Sequence, residues 1–131
     1  MAYLIGLDIG TSGVKGVLLG EDGTVSASSV REYPLATPQP GWAEQNPEDW
    51  WRGTVEVLRE LTAAAKGETV AGLGLTGQMH GATFLDERGE VIRPAILWCD
   101  QRTEAECAEI TSAVGSDNLQ RITANPALTG F

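Results

Sequence analysis

The segment Asp8-Ile9-Gly10-Thr11-Ser12-Gly13-Val14-Lys15 is the first place where residue types and spacing can do chemistry. Two glycines around two hydroxyl residues let successive backbone N–H groups turn inward and form a nest for an anion. Thr11 and Ser12 add hydroxyl donors, and Lys15 adds a positive point charge. Asp8 can hold Mg2+ directly or through its waters, because magnesium favours one or two carboxylates together with phosphate oxygens. The segment is not a Walker A loop, since it lacks Gly-Lys-Ser/Thr. The alternative is an ordinary hairpin in which Gly, Thr and Ser serve turn geometry alone.

Two further clusters carry polar groups suited to a polyhydroxylated ligand. In Thr76-Gly77-Gln78-Met79-His80-Gly81, Gln78 offers donors and an acceptor, and neutral His80 offers one of each. In Trp98-Cys99-Asp100-Gln101-Arg102, Asp100 can accept two hydroxyls and Arg102 presents a planar donor fork. Each has a plainer reading. His80 can be a loop histidine satisfied by backbone, and Asp100 with Arg102 can be an ion pair at the start of the following helix. Of the four tryptophans, Trp51 falls on a helical stripe and is expected in the core. Trp42 and Trp98, near loops, are the better ligand candidates.

The elements that must position these groups follow from periodicity. Tyr3 to Ile9 reads as a buried strand ending in the carboxylate, Val14 to Leu19 as the returning strand and Thr24 to Tyr33 as a third. Asp22-Gly23 supplies a hairpin turn. Pro34, Pro38 and Pro40 make an irregular loop. Asn46-Pro47-Glu48-Asp49 predicts a helix start, and Trp51, Val55, Leu58, Leu61 and Ala65 give that helix one apolar stripe. Val70 to Leu75 reads as a buried strand parallel to the first, placing Thr76 to Gly81 at its carboxyl end, where open α/β sheets bind ligands. Thr83 to Leu85 and Val91 to Trp98 predict a second hairpin around Asp86-Glu87-Arg88-Gly89. Thr103 to Val114 predicts a helix with Cys107 on its stripe, stopped by Gly115, and the remaining tail holds at most one short helix.

Composition narrows the function classes. The 131 residues suit one domain or a piece of one, and the net charge of −9 argues against a nucleic-acid partner. No apolar run approaches the roughly 20 residues of a membrane helix, so no membrane partner is expected. Cys99 and Cys107 form no C-x-x-C pair, and with His80 as the one histidine a zinc site is hard to assemble. A reduced cytoplasm is the expected compartment.

Taken in order, five segments resemble the FGGY carbohydrate kinases, and within them the xylulose-phosphorylating members. They are Gly6 to Lys15, Gly41-Trp42-Ala43-Glu44-Gln45-Asn46-Pro47 with Trp50-Trp51, Gly77-Gln78-Met79-His80-Gly81, Arg93 to Trp98 with Asp100 and Arg102, and Asn125-Pro126-Ala127-Leu128 before Gly130-Phe131. The resemblance implies an α/β, ribonuclease H-like domain of the actin/hexokinase ATPase type, its mixed sheet opening with three antiparallel strands and incomplete in this chain. It implies ATP-dependent phosphorylation of a ketopentose, D-xylulose, at its terminal hydroxyl with Mg2+. Asp8 then matches the acidic residue at the phosphate loop, Gly10, Thr11, Ser12, Gly13 and Lys15 the phosphate contacts, and Met79 and His80 the sugar-contacting pair, with Gln78, Asp100 and Arg102 nearby. Cys99 departs from the asparagine more often found there. Family members are several times longer, so residues 1–131 are expected to be the N-terminal part of the first kinase domain. The second, ATP-side domain and the catalytic-base aspartate then lie beyond Phe131, and the chain alone is expected to be inactive. A homodimer of the longer protein is compatible with this. Rivals are another sugar of the family, such as ribulose or gluconate, and a non-catalytic sugar-binding or regulatory module.

Overall fold

A computed structural model describes residues 2–131. In chain order its elements are β1 (Ala2–Ile9), β2 (Gly13–Gly20), β3 (Val25–Glu32), β4 (Glu44–Gln45), α1 (Pro47–Ala64), β5 (Thr69–Gly77), β6 (Ala95–Ile96), α2 (Glu104–Val114) and α3 (Ser116–Thr123). They group into two compact units, Met1–Leu35 with Asn46–Gln78, and Ala36–Gln45 with Met79–Phe131.

The first unit is a four-stranded sheet in the order β3-β2-β1-β5 with α1 on one face. β1, β2 and β3 are antiparallel neighbours, and β5 returns parallel to β1, as the helical crossover requires. Alternation along the strands sends Ile5, Leu7, Val14 and Leu18 to the helix-bearing face, where Val57 and Leu61 complete a buried core. Burying such side chains stabilises by about 1.5–3 kcal/mol each. The helix comes very close to the sheet at Gly16, where an added Cβ would overlap Val57 Cγ1. Asn46 caps α1 by accepting from the Glu48 N–H at 3.1 Å, and Pro47 occupies the first turn, as expected.

Two core expectations in this unit do not hold. Trp51 is 66% exposed, and the inward face of α1 runs instead through Gly53, Thr54, Val57 and Leu61. The helix is apolar on two sides, and close approach to the sheet selects the side carrying the small residues. β5 is parallel to β1 but is an edge strand, with Leu73 and Leu75 exposed rather than buried. α1 lies over β1, β2 and β3, and leaves the β5 side of that face open.

In the second unit, β4 and β6 pair antiparallel, with Glu44 opposite Ile96 and Gln45 opposite Ala95. The expected hairpin from residue 83 to 98 is reduced. Its turn forms, closed by the Gly89 N–H on Asp86 O at 3.0 Å, but in place of a ladder only isolated bridges, Leu85–Val91 and Ala82–Ile96, join its arms. Pro94 interrupts the second run, because it has no N–H to donate to a ladder, and only Ala95–Ile96 remain as strand. α2 starts after Thr103 and ends at Gly115 (φ 85°), and α3 is the one short helix of the tail. α2 has no fully buried residue. Cys107, expected in the core, is half-buried and lines an apolar groove of about 340 Å³ with Ile110, Leu119, Leu128 and Phe131. Among the described residues no helix is long and apolar enough to cross a membrane.

Candidate functional site

The turn between β1 and β2 is held from three sides. The Gly10 N–H donates to Gly13 O at 3.0 Å and the Tyr33 N–H to Ser12 O at 3.3 Å. The buried Tyr33 hydroxyl donates to Gly10 O. Burial pushes the Tyr33 phenol up to about 12, and the charge of Asp8 adds to the shift. From the neighbouring strand end, the Gln78 N–H donates to Ile9 O at 2.8 Å, and Thr11 Oγ1 lies 3.2 Å from Gln78 Oε1. Gln78 therefore belongs with the turn, a grouping that sequence spacing did not reveal.

Neither turn glycine has a positive φ, and only Gly13 is needed for space. A Cβ at Gly13 would overlap the Arg31 carbonyl. A Cβ at Gly10 would sit in ordinary contact, 3.5 Å from Gly13 O and 3.7 Å from Asp8 Oδ2. The expected nest is only partly available, because the Gly10 N–H is used to close the turn. Asp8 is exposed at the end of β1, opposite Lys15 across the ladder and beside Thr76 of β5. Asp8, Lys15 and Thr76 line a shallow depression of about 360 Å³ floored by Gly6, Val17 and Gly74. An exposed carboxylate, exposed Ser12 and Lys15, and a rigid turn form a donor set compatible with a hydrated Mg2+ bound to phosphate. Among the described residues no cluster of three or more His, Cys, Asp or Glu side chains could hold a metal by itself.

In the second unit, Met79 and His80 are both exposed, and His80 has left-handed backbone (φ 62°). The Phe131 ring stacks on its imidazole, with centroids 4.1 Å apart and planes 33° from parallel. Neither Phe131 nor Tyr33 stood out in the sequence. The Asn-Pro-Ala-Leu run before Gly130-Phe131 was the only available pointer to the former.

Asp100 and Arg102 are engaged with each other. Asp100 is 1% exposed, and its Oδ2 accepts from the Ala43 N–H at 2.7 Å and from Arg102 Nη2 at 2.7 Å. Its Oδ1 accepts from the Arg102 N–H and Nε, both at 2.9 Å. Arg102 Nη1 donates to Glu44 at 2.7 Å, and Arg93 Nη2 donates to the same Glu44 oxygen at 2.7 Å. Burial alone would raise the Asp100 pKa, but hydrogen bonds from the Arg102 guanidinium and from two backbone N–H groups outweigh it and hold the value at about 2. This is the ion pair at a helix start, and a direct sugar contact by Asp100 would require the network to open. Trp42, a ligand candidate from its position, carries the Arg102 guanidinium over its ring.

The profile of the FGGY family of carbohydrate kinases, N-terminal domain, matches residues 3–131. The chain is 46% identical over 127 residues to the xylulose kinase of Klebsiella pneumoniae, covering 97% of this chain and 26% of that protein. It is 44% identical over 133 residues to the xylulose kinase of Bacillus subtilis, covering 100% of this chain and 26% of that protein. The chain thus spans about a quarter of the length of the curated relatives it matches. Among solved structures, the xylulose kinase of Rhodospirillum rubrum matches with a TM-score of 0.92 at 36% identity, over 98% of this chain and 27% of that one. The mixed sheet with its three antiparallel opening strands is therefore of the ribonuclease H-like, actin/hexokinase type.

Proposed function

The chain belongs to the FGGY family of carbohydrate kinases, and from that membership we propose that it is the N-terminal portion of an ATP- and Mg2+-dependent kinase that converts D-xylulose to D-xylulose 5-phosphate. The observation that carries the substrate is identity of 44–46% across essentially the whole chain to proteins named xylulose kinase. The rigid β1–β2 turn supports the phosphate side of the reading.

In this reading Asp8 would hold Mg2+, directly or through its waters, at the strand end, and it is not the base. The turn Gly10-Thr11-Ser12-Gly13 and Lys15 receive phosphate oxygens, with Ser12 and Lys15 exposed towards solvent and Thr11 steadied by Gln78. When bound, Mg-ATP supplies the phosphoryl group and a metal charge that offsets the developing negative charge. Met79 and His80 contact the sugar. Asp100 and Arg102 serve the sugar side as the ion pair that ties Ala43 and Glu44, at the start of β4, to the start of α2. Phosphoryl transfer depends on aligning nucleophile, metal and phosphate, so the 131-residue chain should bind without turning over.

Calorimetric titration of the chain with D-xylulose, ribulose, gluconate and glycerol tests the substrate. Binding of D-xylulose in preference to the others supports it, and a preference for gluconate or glycerol overturns it. A coupled ADP-release assay with D-xylulose and Mg-ATP tests the second point, and turnover above background would refute it.

A further inference from the structure

We propose that Phe131 is a positioning residue for His80: it fixes the plane of the imidazole and so the direction in which that ring offers its donor and acceptor. The inference rests on the sugar-contacting reading of Met79 and His80. Three observations carry it. His80 is exposed and sits in left-handed backbone (φ 62°), a sparsely populated conformation for a side chain-bearing residue, so burial does not settle its ring. The Phe131 ring stacks on it with centroids 4.1 Å apart, tighter than the roughly 4.5–7 Å of most aromatic pairs.

Phe131 is itself held in place. Gly130 has φ 76° and lies so close to Trp98 that an added Cβ would overlap the Trp98 carbonyl. Phe131 also lines the groove formed by Cys107, Ile110, Leu119 and Leu128. Anchored through Gly130 against Trp98 and lining that groove, Phe131 presents its ring to His80. It is well explained as a wall that keeps an imidazole from turning. The tautomer and direction of a histidine matter most where it must donate and accept at once, as with a polyhydroxylated ligand.

The test uses the full chain, in which His80 is the one histidine, so its imidazole resonances need no further assignment. In the unsubstituted chain the ring protons of His80 should carry a ring-current displacement from Phe131, and D-xylulose should perturb them. Phe131→Ala should abolish the displacement and weaken D-xylulose roughly three- to tenfold, while Phe131→Tyr should restore both. Gly130→Ala, which forces the tail off Trp98 without removing the phenyl ring, should reproduce the Phe131→Ala shifts. Unchanged His80 shifts in Phe131→Ala overturn the proposal, and so does unchanged D-xylulose affinity alongside altered shifts. Should D-xylulose leave His80 unperturbed in the unsubstituted chain, the sugar reading itself fails and the positioning role fails with it. That failure is recognisable because no substitution is involved.

Discussion

The guanidinium carbon of Arg102 lies 3.7 Å from the centre of the Trp42 ring, and the same group hydrogen-bonds Asp100 and Glu44. One planar cation thus joins an aromatic face, a buried carboxylate and a strand residue. Only a fork that is flat, delocalised and permanently charged can meet all three at once. The network explains why Glu44 and Asp100 can be buried: each charge has a partner, and among the described residues no buried side-chain polar atom lacks one.

Removing one member should therefore be costly. Asp100→Asn is expected to destabilise the chain by about 3–5 kcal/mol, because the partly buried Arg102 guanidinium loses one of its two anionic partners, the one it grips through Nε and Nη2. Arg102→Lys keeps the charge but loses the fork and the stack, and should cost more than an exposed Arg-to-Lys change. Urea unfolding followed by circular dichroism measures both. A cost under about 1 kcal/mol for Asp100→Asn would mean that the pair behaves as an exposed one.

The same carboxylate sets an acid limit. Its pKa in the folded chain is about 2, below the ordinary 3.8, so its contribution to stability is complete above the ordinary value and disappears as pH falls through the folded one. Stability should drop between pH of about 4 and about 2, and Asp100→Asn should flatten that part of the curve. Chemical unfolding midpoints across this window provide the check.

The β1–β2 turn offers a steric contrast between its glycines. Gly13→Ala drives a methyl into the Arg31 carbonyl, a backbone atom that cannot swing aside, and should cost about 1–3 kcal/mol. Gly10→Ala meets only ordinary contacts, so the fold should keep its melting temperature within a few degrees. Its methyl nevertheless stands 3.7 Å from Asp8 Oδ2, and nucleotide binding should fall while D-xylulose binding is retained. Thermal melts of the two variants, with nucleotide titration of Gly10→Ala, separate the effects.

Strand order and the position of the β1–β2 turn were legible because they rest on short-range signals: the apolar run from Tyr3 to Ile9 broken only by Gly6 and Asp8, Asp22-Gly23, and Asn46 before Pro47. The inward face of α1 was not. Hydrophobicity favours Trp51 over Gly53 and Thr54, whereas close approach to β2 rewards the small residues, a preference visible only once Val14 sits 3.3 Å from the position of a Gly53 Cβ. Site partners separated in sequence were hidden for a related reason. Nothing local links Tyr33 to Gly10, Gln78 to Thr11 or Phe131 to His80, and each pairing comes from sheet register or from the path of the tail. Asp100 and Arg102 were visible as a motif, yet their burial against Ala43 and Glu44 depends on a two-residue strand too short to read.

The role of Asp8 can be separated from mere turn stability through its neighbour Tyr33. Asp8 is exposed, and among the described residues its side chain accepts no backbone bond in the turn, which is closed by Gly10, Ser12 and Tyr33, so Asp8→Ala should leave the fold intact. Removing its charge should lower the Tyr33 pKa from about 12, since Asp8 contributes to that shift after burial, and ultraviolet titration of the phenol reads this directly. If Asp8 organises Mg2+ at the phosphate, the same variant should lose magnesium-dependent nucleotide binding while D-xylulose affinity stays within about twofold. In a kinase containing this chain as its N-terminal portion, turnover should fall roughly a hundredfold or more. A variant with the shifted phenol but undiminished magnesium dependence would place the metal on another carboxylate.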